Sequence, residues 1–255
     1  MAHSEHQDQL RVRGGIEDRH VTFSRLLQAL RYRKAIAPCG EPPYGRQFLE
    51  SLSITGIEFG TIVTEHPSGM SADIASVSNA DTTADLNQLY KLGDMGVFLR
   101  VNIEHPLPLE DGCVDWVFAE HIIEHVSPLA AIRWLIEIRR ILRPGGLARI
   151  VTPDLAKYVD GYRGGTFFAT HRDYLERAGL HGMPDRRAFM INQVFYLWGH
   201  KWIYDASELS YAATQAGFAA DGITQCEFGQ GQRADVAALD RPLRRDESLY
   251  TELTR

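Results

Sequence analysis

The residues of this chain best suited to chemistry fall into two clusters. The first is Glu120-His121-Ile122-Ile123-Glu124-His125, two imidazoles and two carboxylates in one short run. Its H-x-x-E-H spacing is that of an inverted zinc-peptidase signature, because i and i+4 bring both histidines to one face of a helix. The second is Gly199-His200-Lys201-Trp202-Ile203-Tyr204-Asp205. His200 can act there as a general base for a hydroxyl, since an unperturbed imidazole titrates near ~6.5. Tyr204 is placed to orient it. Asp205 reads better as the N-cap of the following helix, with Ser207 and Glu208 completing the capping signal.

The elements that must hold these groups alternate between strand and helix. Strand-like runs lie at 53–60, 71–79, 95–103, 115–120 and 147–153, with two closing strands at 222–229 and 248–254. Helices are expected at 20–38 (ended by Pro38), 44–52, 83–92, 129–142 and 206–218, the last stopped by Gly217. On the 129–142 helix, Arg133, Glu137 and Arg140 fall on the solvent face. Such alternation predicts an α/β fold with a doubly wound, mostly parallel sheet, preceded by N-terminal helices. Open sheets of this kind bind ligands at the carboxyl ends of their strands. Glu120, His121, Glu124, His125, Pro153 and Asp154 all fall at that edge. A zinc-peptidase motif belongs in the middle of a long helix, whereas this one follows VDWVFAE directly and Pro128 soon interrupts it. The peptidase reading is therefore disfavoured; a divalent ion stays open as an alternative but is not expected, and Glu124 and His125 read as braces of the sheet edge. Asp154 either faces an acceptor or caps a helix.

Composition narrows the field. The 255 residues are 44% hydrophobic and 24% charged, enough for one full core without staples. A net charge of −6 and no long basic run argue against nucleic acid as a partner. Three scattered cysteines make neither a disulfide framework nor a zinc pattern and fit a reducing cytoplasm. The polar N-terminus lacks the apolar core of a secretory signal, and no apolar run approaches the ~20 residues of a membrane helix. Residues 1–15 read as a disordered tail and 16–255 as one domain, with a helical extension at 16–50 that caps the substrate side or mediates a dimer. The stretch 155–204 is an aromatic-rich insert after the fifth strand, topologically over the ligand edge.

Three longer passages carry a family resemblance: NIEHPLPLEDGCVDWV, FAEHIIEHV and RILRPGGLARIVTPDL, with INQVFYLWGHKWIYDASELSYAATQAGF further on. They resemble the class I S-adenosylmethionine-dependent methyltransferases, in particular the small methyltransferase type 11-like group. The resemblance implies a Rossmann-like seven-stranded sheet and S-adenosylmethionine as cofactor. It implies methyl transfer to a hydroxyl, or less readily an amine, of a small molecule such as a sugar or secondary metabolite. It places Glu58 and Gly60 at the start of the glycine-rich turn, whose later glycines are missing unless Gly69 substitutes. Asn79 and Asp81 fall at the end of strand two, facing the ribose, although Asp81 is equally an N-cap. Asn102 and Ile103 fall beside the adenine, and Glu120 and His121 at the strand-four tip against cofactor or substrate. His121 and His200 are then the catalytic candidates, and Tyr158, Trp198, His200 and Tyr204 the substrate-side ones. Two rivals remain open: a metal-dependent hydrolase using His121, Glu124 and His125, and a non-catalytic partner subunit on the same scaffold.

Overall fold

The computed structural model describes residues 36–79, 81–177 and 179–255. The expected tail at 1–15 and most of the helix at 20–38 lie outside the described residues. Nine strands form one sheet: β1 (Ile36–Pro38), β2 (Gly56–Phe59), β3 (Gly69–Asp73), β4 (Gln88–Leu92), β5 (Val97–Arg100), β6 (Val114–Glu120), β7 (Leu142–Pro153), β8 (Ile223–Cys226) and β9 (Ser248–Thr254). Their order is β1-β4-β5-β3-β2-β6-β7-β9-β8. The five central strands β5-β3-β2-β6-β7 run parallel, and β9, β8, β4 and β1 pair antiparallel outside them. A mostly parallel α/β sheet was expected, with seven strands rather than nine. The additional pair is β1 and β4.

Both additions correct local readings. The run 83–92 was read as a helix, yet its second half is β4, where Leu89, Tyr90 and Leu92 are buried and Lys91 is exposed. Register explains the choice: Tyr90 pairs with Phe98 and Leu89 with Leu99, so partners on β5 override a helical spacing. Pro38 ends a short strand instead of a helix. The second strand runs from Gly69 to Asp73, not across 71–79, so Asp73 stands at its tip.

One face of the sheet packs on helices. Between β1 and β2 lies α1 (Arg46–Ser51), and α2 (Pro128–Ile141) links β6 to β7. Ser127 caps α2 by accepting from Ala130 N at 3.3 Å, and Pro128 fits the first turn because its missing N–H has no partner there anyway. Its apolar stripe of Ala131, Trp134, Leu135 and Ile138 is buried against the sheet, with Trp134 edge-on to Phe59 at 5.4 Å. Glu137 and Arg140 do not simply face solvent. Glu137 accepts from Leu107 N at 2.8 Å, and Arg140 donates to Leu109 O at 2.7 Å. The pair braces the 102–113 segment that follows β5.

The insert forms α3 (Leu155–Arg163), α4 (Phe167–Arg177) and α5 (Arg187–Tyr196), with its own apolar cluster around Tyr158, Tyr174, Met190 and Val194. The helix α6 (Ala206–Gln215) then returns to the main core, capped by Asp205 and stopped at Gly217 with φ +90°, as its sequence requires. Asp154 is likewise a cap, accepting from Ala156 N at 3.0 Å.

The second face is different. No helix follows β2 before β3. That face, with Trp116, Phe118, Val151 and Tyr250, is covered by the connection between β8 and β9, which contains the short α7 (Ala234–Ala237). An ionic anchor holds it: Arg149 is fully buried, doubly bonded to Asp240 at 2.7 and 2.6 Å and paired with Glu252 at 3.0 Å. Gly56 and Gly69 leave room for Trp116, since a Cβ on either would stand 2.0 or 3.0 Å from its ring. Gly69 therefore serves packing at the far end of β3 and does not substitute in the cofactor turn.

Candidate active site

The chain leaves β2 for β3 on one side and reaches β6 on the other, so the topological switch lies between β2 and β6. The carboxyl ends of adjacent parallel strands diverge there, and a cleft is expected. A cleft of about 580 Å³ occupies that edge, within the range of ligand sites. Phe59 and Gly60 line it from β2, Asp73 and Ile74 from β3, Asn102 and Ile103 after β5, and His121, Ile122 and His125 after β6. Lys201 closes one side, 3.5 Å from Glu104.

Gly60 has φ +85°, and a Cβ there would fall 2.5 Å from Ile122 Cδ1. The tight turn out of β2 thus requires glycine for two reasons, conformation and space. The cleft includes Gly60, Asn102, Ile103 and His121 among the sequence candidates. It excludes four others. Asn79 makes a local turn, accepting from Asp81 N at 2.9 Å and Thr82 N at 2.7 Å, which takes both residues away from the strand tip. Glu58 and Glu120 point to the opposite face, because side chains alternate along a strand. There Arg241 bridges them, at 3.0 Å to Glu58 and 3.2 Å to Glu120. Burial raises the pKa of both carboxyls, that of Glu120 to about 7. Sequence reasoning missed Asp73, whose signal was an acid ending a run that starts at a glycine.

His121 is the pivot. Its φ is +56°, a left-handed conformation that is uncommon outside glycine and recurrent at functional sites. The turn swings the next residues out of the sheet, and Ile123–His125 form one 3-10 turn, while α2 starts only at Pro128. The histidines of the H-x-x-E-H run therefore do not share a helical face. His121 Nε2 meets Ser248 Oγ at 2.8 Å, and its Nδ1 lies 3.4 Å from Glu124 Oε1. Glu124 is completely buried, accepts from Thr152 Oγ1 at 3.0 Å, and burial pushes its carboxyl up to about 8.

A second cavity of about 270 Å³ adjoins the first and shares His121 and His125 with it. His200 and Trp198 line it from the loop before α6, His171, Tyr174 and Leu175 from α4, and Leu243, Arg244 and Glu247 from the β8–β9 connection. His200 sits 4.9 Å from His125, ring to ring. Its Nδ1 lies against the carbonyl of Val194, which can only accept, so that nitrogen carries the proton and Nε2 keeps its lone pair. Burial is the main force holding the His200 pKa down, to about 4, and also lowers those of His121, His125 and His171. The imidazoles around this cavity are therefore neutral at pH 7. Arg244 donates to Glu247 Oε1 at 3.1 Å, and Tyr158 donates to Glu247 Oε2 at 2.7 Å. Tyr158 thus stands one layer behind the cavity and supports Glu247. Tyr204 lies in the main core, 1% exposed, and lines neither space. Of the expected substrate-side residues, Trp198 and His200 reach the cavity. His171, Arg244 and Glu247 were missed, because each reaches the cavity from an element distant in sequence from His121 and no local signal links them.

Comparison with known proteins bears on this arrangement. Residues 67–150 match the family model described as a methyltransferase domain. That segment runs from just before β3 into β7 and carries most of the cleft. The matched segment agrees with the mostly parallel sheet and the cleft at its switch point. A curated relative, described as an uncharacterized 37.1 kDa protein in transposon TN4556 of Streptomyces fradiae, is 44% identical over 50 residues. The aligned stretch is 20% of this chain and 14% of that protein. Two solved methyltransferases are similar over most of the chain. One, from Archaeoglobus fulgidus, is 12% identical, with a TM-score of 0.43, 93% of this chain and 94% of that one covered. The other, from Mesorhizobium loti, is 15% identical, with a TM-score of 0.43 and coverages of 81% and 95%. Likeness at that level carries no argument about site or substrate.

S-adenosylmethionine, the cofactor the sequence resemblance implies, fits the cleft on the chemistry of its donors. Asp73 and Asn102 supply acceptors at adjacent strand tips, Ile74, Ile103 and Ile122 supply apolar walls, and Gly60 keeps the floor open. The missing helix after β2 removes the usual amide cluster for an anionic group. Lys201 is the cation that lines the cleft instead. Among the described residues no helix is long and apolar enough to cross a membrane.

Proposed function

We propose that the chain is an S-adenosylmethionine-dependent methyltransferase acting on a hydroxyl of a small molecule held in the cavity beside His200. The observation that carries this reading is the junction itself: a cofactor-sized cleft and a smaller cavity share His121 and His125. A donor in one space and an acceptor in the other meet there, and in-line positioning supplies most of the rate for an activated methyl group. When bound, S-adenosylmethionine supplies that methyl on a positively charged sulfur. Asp73 would hold the ribose hydroxyls, Asn102 and Ile103 the adenine, and Lys201 with Glu104 the methionyl carboxylate and ammonium.

Nε2 of His200 would accept the acceptor's hydroxyl hydrogen and orient its oxygen. With a pKa of about 4, His200 is a weak base, so its main work is orientation. Trp198, Tyr174 and Leu175 give the cavity apolar walls suited to a ring or short chain, and its volume of about 270 Å³ favours a small acceptor over a protein segment.

The test has two stages. Calorimetric titration with S-adenosylmethionine and S-adenosylhomocysteine should give micromolar binding to the wild-type chain. His200→Ala should then lower turnover with an identified hydroxyl acceptor by about 10- to 100-fold, with cofactor affinity unchanged. A folded protein that binds neither cofactor would instead favour a non-catalytic partner subunit, and full activity of the variant would remove His200 from the mechanism.

A further inference from the structure

We infer that the acceptor is a single-ring hydroxy acid, and that the guanidinium of Arg244 selects it by pairing with its carboxylate. The inference rests on the proposed function and names the chemical class of the molecule that the cavity takes.

The first support is a set of unused donors. Arg244 lines the cavity, and among the described residues its one hydrogen bond runs from Nη1 to Glu247 Oε1 at 3.1 Å. Nε and Nη2 are left as a free edge of the guanidinium, two N–H donors at the spacing of a carboxylate's oxygens. The Arg244 side chain is 41% exposed, so a ligand can reach it, whereas that of Glu247 is 8% exposed. Glu247 is also the better satisfied partner, since Tyr158 donates to its Oε2 at 2.7 Å while Arg244 takes Oε1. The pair is therefore asymmetric. The buried carboxylate aims the guanidinium, and the guanidinium keeps donors to spare.

The second support is how Arg244 is held. It ends a 3-10 turn, Pro242–Arg244, that is fixed on both sides. Upstream, Arg241 N donates to Glu120 Oε1 at 3.0 Å, and Arg244 N donates to Arg241 O at 2.8 Å. Downstream, the carbonyl of Glu247 accepts from Asp154 N at 2.8 Å, just past the end of β7. A charge held in this way loses little freedom on meeting a ligand.

The third support is the rest of the lining. No other Lys or Arg lines the cavity among the described residues. Its four imidazoles are neutral at pH 7. Burial is the first cause, and the positive charge of Arg244 adds to it at His121, His125, His171 and His200. One guanidinium suits a monoanion. A phosphate dianion beside Glu247 would call for a second cation. The walls define the remainder of the molecule. Leu243, next to Arg244 on the same turn, is 52% exposed, and Leu175, Leu180, Tyr174 and Trp198 complete an apolar lining. A volume of about 270 Å³ lies below the range of drug-sized ligands and fits one ring. With its carboxylate on Arg244, such a ring offers its hydroxyl to His200.

The experiment titrates the full chain by calorimetry, with and without S-adenosylhomocysteine. The probes are the ortho, meta and para hydroxybenzoates, the three matching hydroxybenzamides and inorganic phosphate. At least one acid should bind at one equivalent, more than about tenfold tighter than its amide, because the amide lacks the charge-assisted pair. Arg244→Gln should abolish that preference while S-adenosylmethionine affinity stays at the wild-type value. Arg245→Gln, at an exposed neighbouring position over Phe228, should leave the preference intact. Circular dichroism checks the fold of each variant. If Arg244→Gln does not fold, Arg244→Lys carries the test: it keeps the charge without the two-donor edge, and the preference for acid should fall several-fold. Four results each overturn the carboxylate site: no acid binding to the folded chain, amides bound as tightly as acids, a preference that survives Arg244→Gln, or displacement of the acids by phosphate. A folded chain that binds an acid through Arg244 but does not bind S-adenosylmethionine keeps the site and overturns the methyltransferase reading.

Discussion

The cleft and the cavity beside it are built in opposite ways. The cleft is made of strand ends. Gly60, Asp73, Asn102 and His121 each follow a parallel strand, and the sheet's own register sets their spacing. The cavity is made of visitors. Residues from α4, from the loop before α6 and from the β8–β9 connection converge on it, and its histidines and Glu247 depend on contacts across most of the chain. A space built from strand ends inherits the stability of the sheet, whereas one built from connections can change its lining without altering the scaffold.

The largest test of this contrast is Arg149→Met. Arg149 anchors the connection that carries Arg244 and Glu247, and its loss leaves Asp240 and Glu252 buried without their partner. Unfolding free energy should fall by about 3–5 kcal/mol in urea titration, and acceptor binding should suffer more than cofactor binding. Equal loss of both would show that the two spaces share one foundation.

Gly60→Val should do the reverse. A branched side chain at φ +85°, 2.5 Å from Ile122, must displace the floor of the cleft. Cofactor affinity should drop about 100-fold by calorimetry, with the acceptor side keeping its structure by near-ultraviolet circular dichroism. Asp73→Asn is milder, removing one charged acceptor at the β3 tip. A loss of about tenfold in cofactor affinity with an unchanged melting temperature is expected, since a hydrogen bond to a charged group contributes about 1.5–3 kcal/mol. Unchanged affinity would place the ribose elsewhere.

The smallest effect concerns the strand tip behind both spaces. Burial raises the Glu120 pKa from 4.5 to about 7 in the folded protein. The folded state therefore holds the proton more tightly. Its stabilising contribution is complete below pH 4.5 and is lost as pH rises through about 7. Glu120→Gln should flatten that part of the stability profile by on the order of 1 kcal/mol between pH 5 and 7, read from melting temperatures. An unaltered profile would show that Arg241 keeps the carboxylate ionised throughout.

Much of the scaffold was legible because its signals are local. Val114–Glu120 and Leu142–Pro153 announce themselves as apolar runs around an amphipathic helix, and Asp205 and Gly217 mark the ends of α6. Less legible was anything decided by a neighbour. The 83–92 run has helical spacing, yet β5 recruits its second half as a strand. Shifting strand two by a few residues exchanged Asp73 for Asn79, and one position of alternation sent Glu58 and Glu120 to Arg241 instead of the cleft.

The sequence by itself determined the fold class, the strand tips that face a ligand, and the candidacy of His121 and His200. Only the tertiary structure decided what those residues touch. His121 leaves its strand through a left-handed turn, His200 comes to rest 4.9 Å from His125, and Glu247 arrives from the far end of the chain to hold Arg244 and Tyr158. Periodicity and capping are encoded within a few residues. Convergence of distant side chains depends on how whole elements pack, and no short stretch of sequence records it.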